Sequence, residues 1–199
     1  MRWDRFFDDL EDQLSSEWEA ERVALETEAE RLRLSRVTLR ERLMALAAEG
    51  AASEASLELC DGAVVRGTMS GVGADWVALA LSGARGGALV PLPAVAWVGM
   101  PESDLLRSAR PLAARSSLSD RITFGFVVRD LGRRRSGVEV HLSGGRVLTG
   151  TIDRAGIDHL DLAQHEAGAP RRVDAVTGHR IVPFAAIAWV RVADERVFG

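Results

Sequence analysis

Four histidines, His141, His159, His165 and His179, all lie in the C-terminal half of the chain. With Asp158, Asp161 and Glu166 they supply the imidazole and carboxylate donors from which metal sites are built. Their spacing argues against one. No His-x-x-x-His pair occurs to set two rings on one helix face. Two of the four fall on predicted strands and two flank a Gly/Pro-bearing insertion. They read as solvent-exposed polar residues, and neither a metal nor a cofactor is expected.

Two aspartates, Asp75 in Gly73-x-Asp75 and Asp158 in Gly156-x-Asp158, are the obvious candidates for catalytic carboxylates. Their recurrence at matched positions favours a structural role, in which each accepts backbone N–H bonds in the turn before a strand. No Ser/His/Asp or Cys/His constellation can be assembled from local spacing, and no glycine-rich phosphate loop opens a helix. A non-enzymatic chain is expected. The densest basic cluster is Arg129, Arg133, Arg134 and Arg135. It is a candidate phosphate contact, against which stands a solvated helix end, where cations complement the helix dipole. Trp97 and Trp189 also recur in place. Each is either a ring closing a core or a ring presented to a neighbouring unit.

Composition narrows the classes further. The 199 residues carry 25 arginines and no lysine, with no asparagine or tyrosine either, and a net charge of −4. The three absent types all have AT-rich codons, so a GC-rich genome accounts for them and lowers the weight of each arginine as a phosphate ligand. The acidic balance also speaks against a nucleic-acid partner. No run approaches the ~18 apolar residues of a membrane span, so no membrane partner is expected. Acidic residues interrupt the N-terminal apolar positions, unlike a signal peptide. A single cysteine, Cys60, excludes an internal disulfide and a cysteine zinc site. The expected location is the cytoplasm.

The elements that position these residues begin with an acidic amphipathic helix. Residues 1–30 hold eleven acids and three arginines, and residues 31–42 five arginines and one acid. Neither stretch contains Gly or Pro. Trp3, Phe6, Phe7, Leu10, Leu14 and Trp18 open an apolar stripe that continues into the heptad run Leu25, Leu32, Leu39, Leu46. Continuous to Ala48, this helix would be about 65–70 Å long at 1.5 Å per residue. Alternatively it breaks near Ser15-Ser16 and folds back.

Beyond Gly50 the period changes to short Val-, Leu- and Trp-rich runs separated by glycine turns, the pattern of five strands. The pattern then repeats. A shift of 83 lays Gly62, Val64, Gly67-Thr68, Gly73, Asp75 and Leu79 on Gly145, Val147, Gly150-Thr151, Gly156, Asp158 and Leu162. A shift of 92 lays Val90-Pro91 and Ala96-Trp97-Val98 on Val182-Pro183 and Ala188-Trp189-Val190. A shift of 85 pairs Arg36–Leu39 with Arg121–Phe124, so a helix belongs to the repeated unit. Gly67 and Gly150 mark strand bends where a side chain would collide, Gly62 and Gly145 tight turns needing positive φ. Pro91 and Pro183 mark strand ends.

A helix followed by these motifs in this order resembles the Sm-like fold, a helix on a bent five-stranded open barrel. The resemblance covers about residues 34–100 and 119–192. It implies an α+β architecture: a long N-terminal helix followed by two tandem helix-plus-five-stranded Sm-like small β-barrels. The corresponding segments are an acidic helix at 1–33, repeats at 34–100 and 119–192, a linker at 101–118 and a tail at 193–199. Where RNA-binding members carry an Asn after the third-strand Asp and an Arg-Gly pair before the last strand, this chain has neither. Uridine recognition is therefore not implied. The whole chain also looks similar to an uncharacterised family of GC-rich bacteria sometimes labelled Fis-type transcriptional regulators, yet no C-terminal helix-turn-helix supports that label. The expectation is a binding or scaffold module docking a protein partner or a second copy through Trp3, Phe6, Phe7, Leu10, Leu14 and Trp18. The alternative is a nucleic-acid-binding regulator using residues 107–135.

Overall fold

The computed structural model describes residues 18, 19, 21–48, 54–110, 121–166, 168 and 172–193. The chain divides into two compact units, Met1–Thr38 and Leu39–Gly199.

In the first unit the expected long helix is not found. Helix α1 covers residues 21–34, about 14 residues. It ends because Ser35-Arg36-Val37-Thr38 contains three weak helix formers, two of them with hydroxyls that compete for backbone partners. The Ser35 hydroxyl donates to Leu32 O at 2.8 Å. The Arg36 and Val37 amides donate only three residues back, to Arg33 O and Leu34 O, which tightens and closes the last turn. The heptad leucines are thereby split: Leu25 and Leu32 lie on α1, Leu39 and Leu46 on the next helix.

The second unit holds α2 (Leu39–Ala48), then β1 (Glu54–Leu59), β2 (Val64–Val72), β3 (Trp76–Leu81), β4 (Gly87–Pro91) and β5 (Val95–Gly99). Next come α3 (Glu102–Ser108), α4 (Phe124–Arg134), β6 (Gly137–Leu142), β7 (Val147–Ala155), β8 (His159–Gln164), β9 (Gly178–Pro183) and β10 (Ile187–Val192). The stretch read as a linker thus contains a helix, α3. Arg42 of α2 donates to Ser108 Oγ at 2.8 Å and to Leu105 O at 3.0 Å on α3.

The expectation of two tandem barrels is overturned. All ten strands form one open antiparallel sheet in the order β5-β1-β2-β3-β4-β10-β6-β7-β8-β9. The cause is one pairing: β4 takes β10 as its outer neighbour, with Leu89 opposite Val190, Ala88 opposite Arg191 and Gly87 opposite Val192. The duplication is nonetheless visible inside that sheet. The order 5-1-2-3-4 of the first half returns as 10-6-7-8-9 in the second. The register also slips at matched places, after Met69 in β2 and after Ile152 in β7.

The glycines explain how the long strands bend. A Cβ on Gly67 would collide with Ala80 O, and one on Gly150 with Ala163 O, so only a hydrogen fits there. Gly62 and Gly145 close their hairpins at φ 82° and 78°. Pro91 and Pro183 end β4 and β9.

Two apolar clusters fill the unit, and each borrows from the other half. Leu43 and Leu46 of α2 pack with Leu57, Leu59, Val77, Leu79 and Val90, and Ala188 of β10 joins them. Phe124, Val128 and Leu131, on one face of α4 at spacings of four and three, pack with Ile152, Leu160, Leu162 and Val190, and Trp76, Ala78 and Leu89 of the first half join them.

Candidate functional site

The residues with chemistry disperse rather than converge. His165 is a core residue, which corrects its reading as solvent-exposed. It is 6% exposed, Thr151 Oγ1 lies 2.8 Å from Nε2, and Glu166 O lies 3.0 Å from Nδ1. With the proton on Nδ1 both contacts are satisfied, Nδ1–H donating and Nε2 accepting. His141 stacks on Trp189, ring centroids 3.9 Å apart. Burial holds its pKa below the usual 6.5, against the opposing pull of Glu139. His159 Nδ1 sits 2.8 Å from Asp158 Oδ1, and His179 Nε2 3.9 Å from Asp153 Oδ2. Among the described residues no three His, Cys, Asp or Glu side chains are grouped to hold a metal.

The two matched aspartates have different partners. Asp75 Oδ1 accepts the amide of Phe124 at 2.6 Å, so it receives the first residue of α4 from the other half of the sheet. Beside it Trp76 Nε1 and the Ala74 amide both donate to Ile122 O at 2.9 Å. Asp75 is thus a docking residue between halves, which local turn chemistry did not reveal. Asp158 is taken by the adjacent His159, which replaces Trp76 in the second half.

The arginine cluster is largely spoken for. Arg129 donates to Gly156 O at 3.1 Å, and Arg134 pairs with Asp130 at 2.7 Å. Arg133 and Arg135 line an open cleft of about 410 Å³ with Arg154, but Asp153 shares it. Arg135 itself sits at the C-terminus of α4 in the left-handed conformation, φ 52°. Arg107 pairs with the buried Asp104 at 2.8 Å.

The surfaces that remain are apolar. On α1, Leu25 and Leu32 are 65% and 55% exposed, and Trp18, one heptad earlier, is 73% exposed. Trp3, Phe6, Phe7, Leu10 and Leu14 lie outside the described residues. The polar flank of α1 is tied along its length by Arg22–Glu26, Arg31–Glu28 and Arg33–Glu30. A second surface lies at the ends of the sheet, where Trp97 of β5 and Ile181 of β9 are 48% and 73% exposed. Their counterparts are covered: Trp189 packs against the first half's core and Leu89 is fully buried. No helix among the described residues is long and apolar enough to cross a membrane. Compared with known protein families, curated proteins and solved structures, the chain matches none.

Proposed function

We propose that this chain is a non-enzymatic scaffold that associates with a second copy of itself through its N-terminal helix. The observation that supports it is the pair Leu25 and Leu32, seven residues apart and exposed on α1, with the exposed Trp18 seven residues before them in the chain. A seven-residue apolar repeat supplies one of the two positions from which the seam of helix–helix pairing is built. Each such side chain contributes about 1.5–3 kcal/mol when taken out of water, enough to outweigh the ordering of a short helix. The salt-bridged flank keeps the remaining faces soluble and leaves one side for the partner.

Light scattering on the full chain and on the Leu25→Glu/Leu32→Glu variant tests this. The variant is expected to have half the mass of the parent assembly with an unchanged melting temperature for the sheet. Equal masses together with a lower melting temperature would identify the helix as an intramolecular cover and overturn the proposal.

A further inference from the structure

The junction between the two halves of the sheet is unlike on its two sides. It joins β4 of the first half to β10, and by the repeat β10 is the counterpart of β5. The sheet therefore ends on β5 and on β9, the counterpart of β4. Those are the counterparts of the two strands that make the junction, and among the described residues each is paired on one side only, β5 with β1 and β9 with β8. We propose that β5 of one chain pairs with β9 of a second copy, repeating between molecules the contact already made within one. The pairing follows from continuity with that junction and is independent of α1.

The register follows from the same correspondence. Val190 opposite Leu89, Arg191 opposite Ala88 and Val192 opposite Gly87 become Val98 opposite Ile181, Gly99 opposite Arg180 and Met100 opposite His179. Each strand is buried where the junction exists and open where it does not. All five residues of β4 are buried, whereas β9 buries only Val182. Likewise β10 buries four of its six residues and β5 buries none.

The side chains suit the pairing. Residues 95–100 of β5 and its end, Val-Ala-Trp-Val-Gly-Met, include no charge to guard an exposed edge. The junction sets one arginine against one small residue, Arg191 on Ala88. The proposed contact keeps that composition with the roles exchanged, Gly99 receiving Arg180. Arg180 would then lie diagonal to Trp97 and to Glu58, which is opposite Trp97 on β1, where both ring and carboxylate attract a guanidinium. A further match lies beside the edge. The link of Asp75 to Phe124 has as its counterpart Asp158, whose side chain is 82% exposed, and Leu39 of α2, which is 45% exposed where Phe124 is 3%.

Because the two surfaces differ, the contact is head to tail, and chains add to a ring or to an open filament according to the rotation between neighbours. Cross-linking in the full chain, with Cys60→Ser to remove the native thiol, tests this. Val98→Cys and Ile181→Cys are prepared separately, since opposed residues on antiparallel strands approach within disulfide reach. Oxidation of the mixture is expected to give a cross-linked pair, and oxidation of either variant alone to give none. Cross-linking as strong in either variant alone, or none in the mixture, would overturn the proposal. Ile181→Asp is expected to lower the mass seen by light scattering while leaving the melting temperature unchanged. The Leu25→Glu/Leu32→Glu variant should still cross-link, which separates failure of the helix contact from failure of the edge contact.

Discussion

At the scale of single residues, Asp75 shows how one side chain serves two halves of a molecule. Asp75 accepts the first amide of α4 from across the junction, while Thr123 is the cap of that helix, so Asp75→Ala leaves the Phe124 amide without its acceptor and is expected to cost about 1–3 kcal/mol. Thermal denaturation monitored by circular dichroism measures it. The same change at Asp158 should cost less, since that carboxylate meets only a neighbouring exposed histidine. His141 sets a pH dependence. Its folded pKa is depressed by burial, so at pH values between the lowered value and 6.5 the folded state binds fewer protons than the unfolded chain. The stability it contributes is complete above 6.5 and is lost as the pH falls through the lowered value. His141→Phe keeps a ring against Trp189 and removes the titration, so its urea midpoint should fall less than that of the parent between about pH 7.5 and 5. A parallel loss in both proteins would assign the pH dependence elsewhere. That Asp75 recurs as Asp158 was legible in the sequence; that it accepts the first amide of a helix 49 positions on was not, because the partner is a backbone amide and leaves no residue signature.

At the scale of elements, the glycines and prolines were the most informative letters. Gly67, Gly150, Gly62, Gly145, Pro91 and Pro183 each stand where backbone geometry admits few alternatives, and the structure uses them as their chemistry requires. Gly150→Ala is expected to destabilise the protein by more than about 2 kcal/mol, because the new methyl meets backbone that cannot move aside. A midpoint within experimental error of the parent would show that β7 and β8 can separate there. The helix was read less well. A leucine every seven residues carries no mark of where the helix stops, and Ser35–Thr38 interrupts it with residues that are tolerated inside many helices. Only the closing hydrogen bonds reveal the end.

At the scale of the molecule, that the two halves share one strand order followed from the repeat, but the joining of the halves into one sheet did not. Edge pairing depends on which backbone groups meet, and Leu89 and Val190 look like ordinary core residues in sequence. The consequence is a shared interior. Leu89→Ala, in a fully buried position beside β10, should cost about 2–5 kcal/mol. Differential scanning calorimetry should show one transition for residues 39–199, shifted as a whole by that substitution. Two transitions, with only one displaced, would mean that the halves unfold independently.

The place of β10 has a bearing on how the chain is made. It is the strand formed from the last residues of the sheet, 187–192, yet it lies between β4 and β6 near the middle. A ribosome delivers the first half, β1 to β5, long before it delivers the strand that covers β4. During synthesis the nascent chain must hold β4 with one side unpaired, and its Leu89 in water, until nearly all of the second half has emerged. Completion of the fold is therefore timed by the emergence of β10 rather than by that of the first half, and the waiting edge is where a chaperone would first be needed.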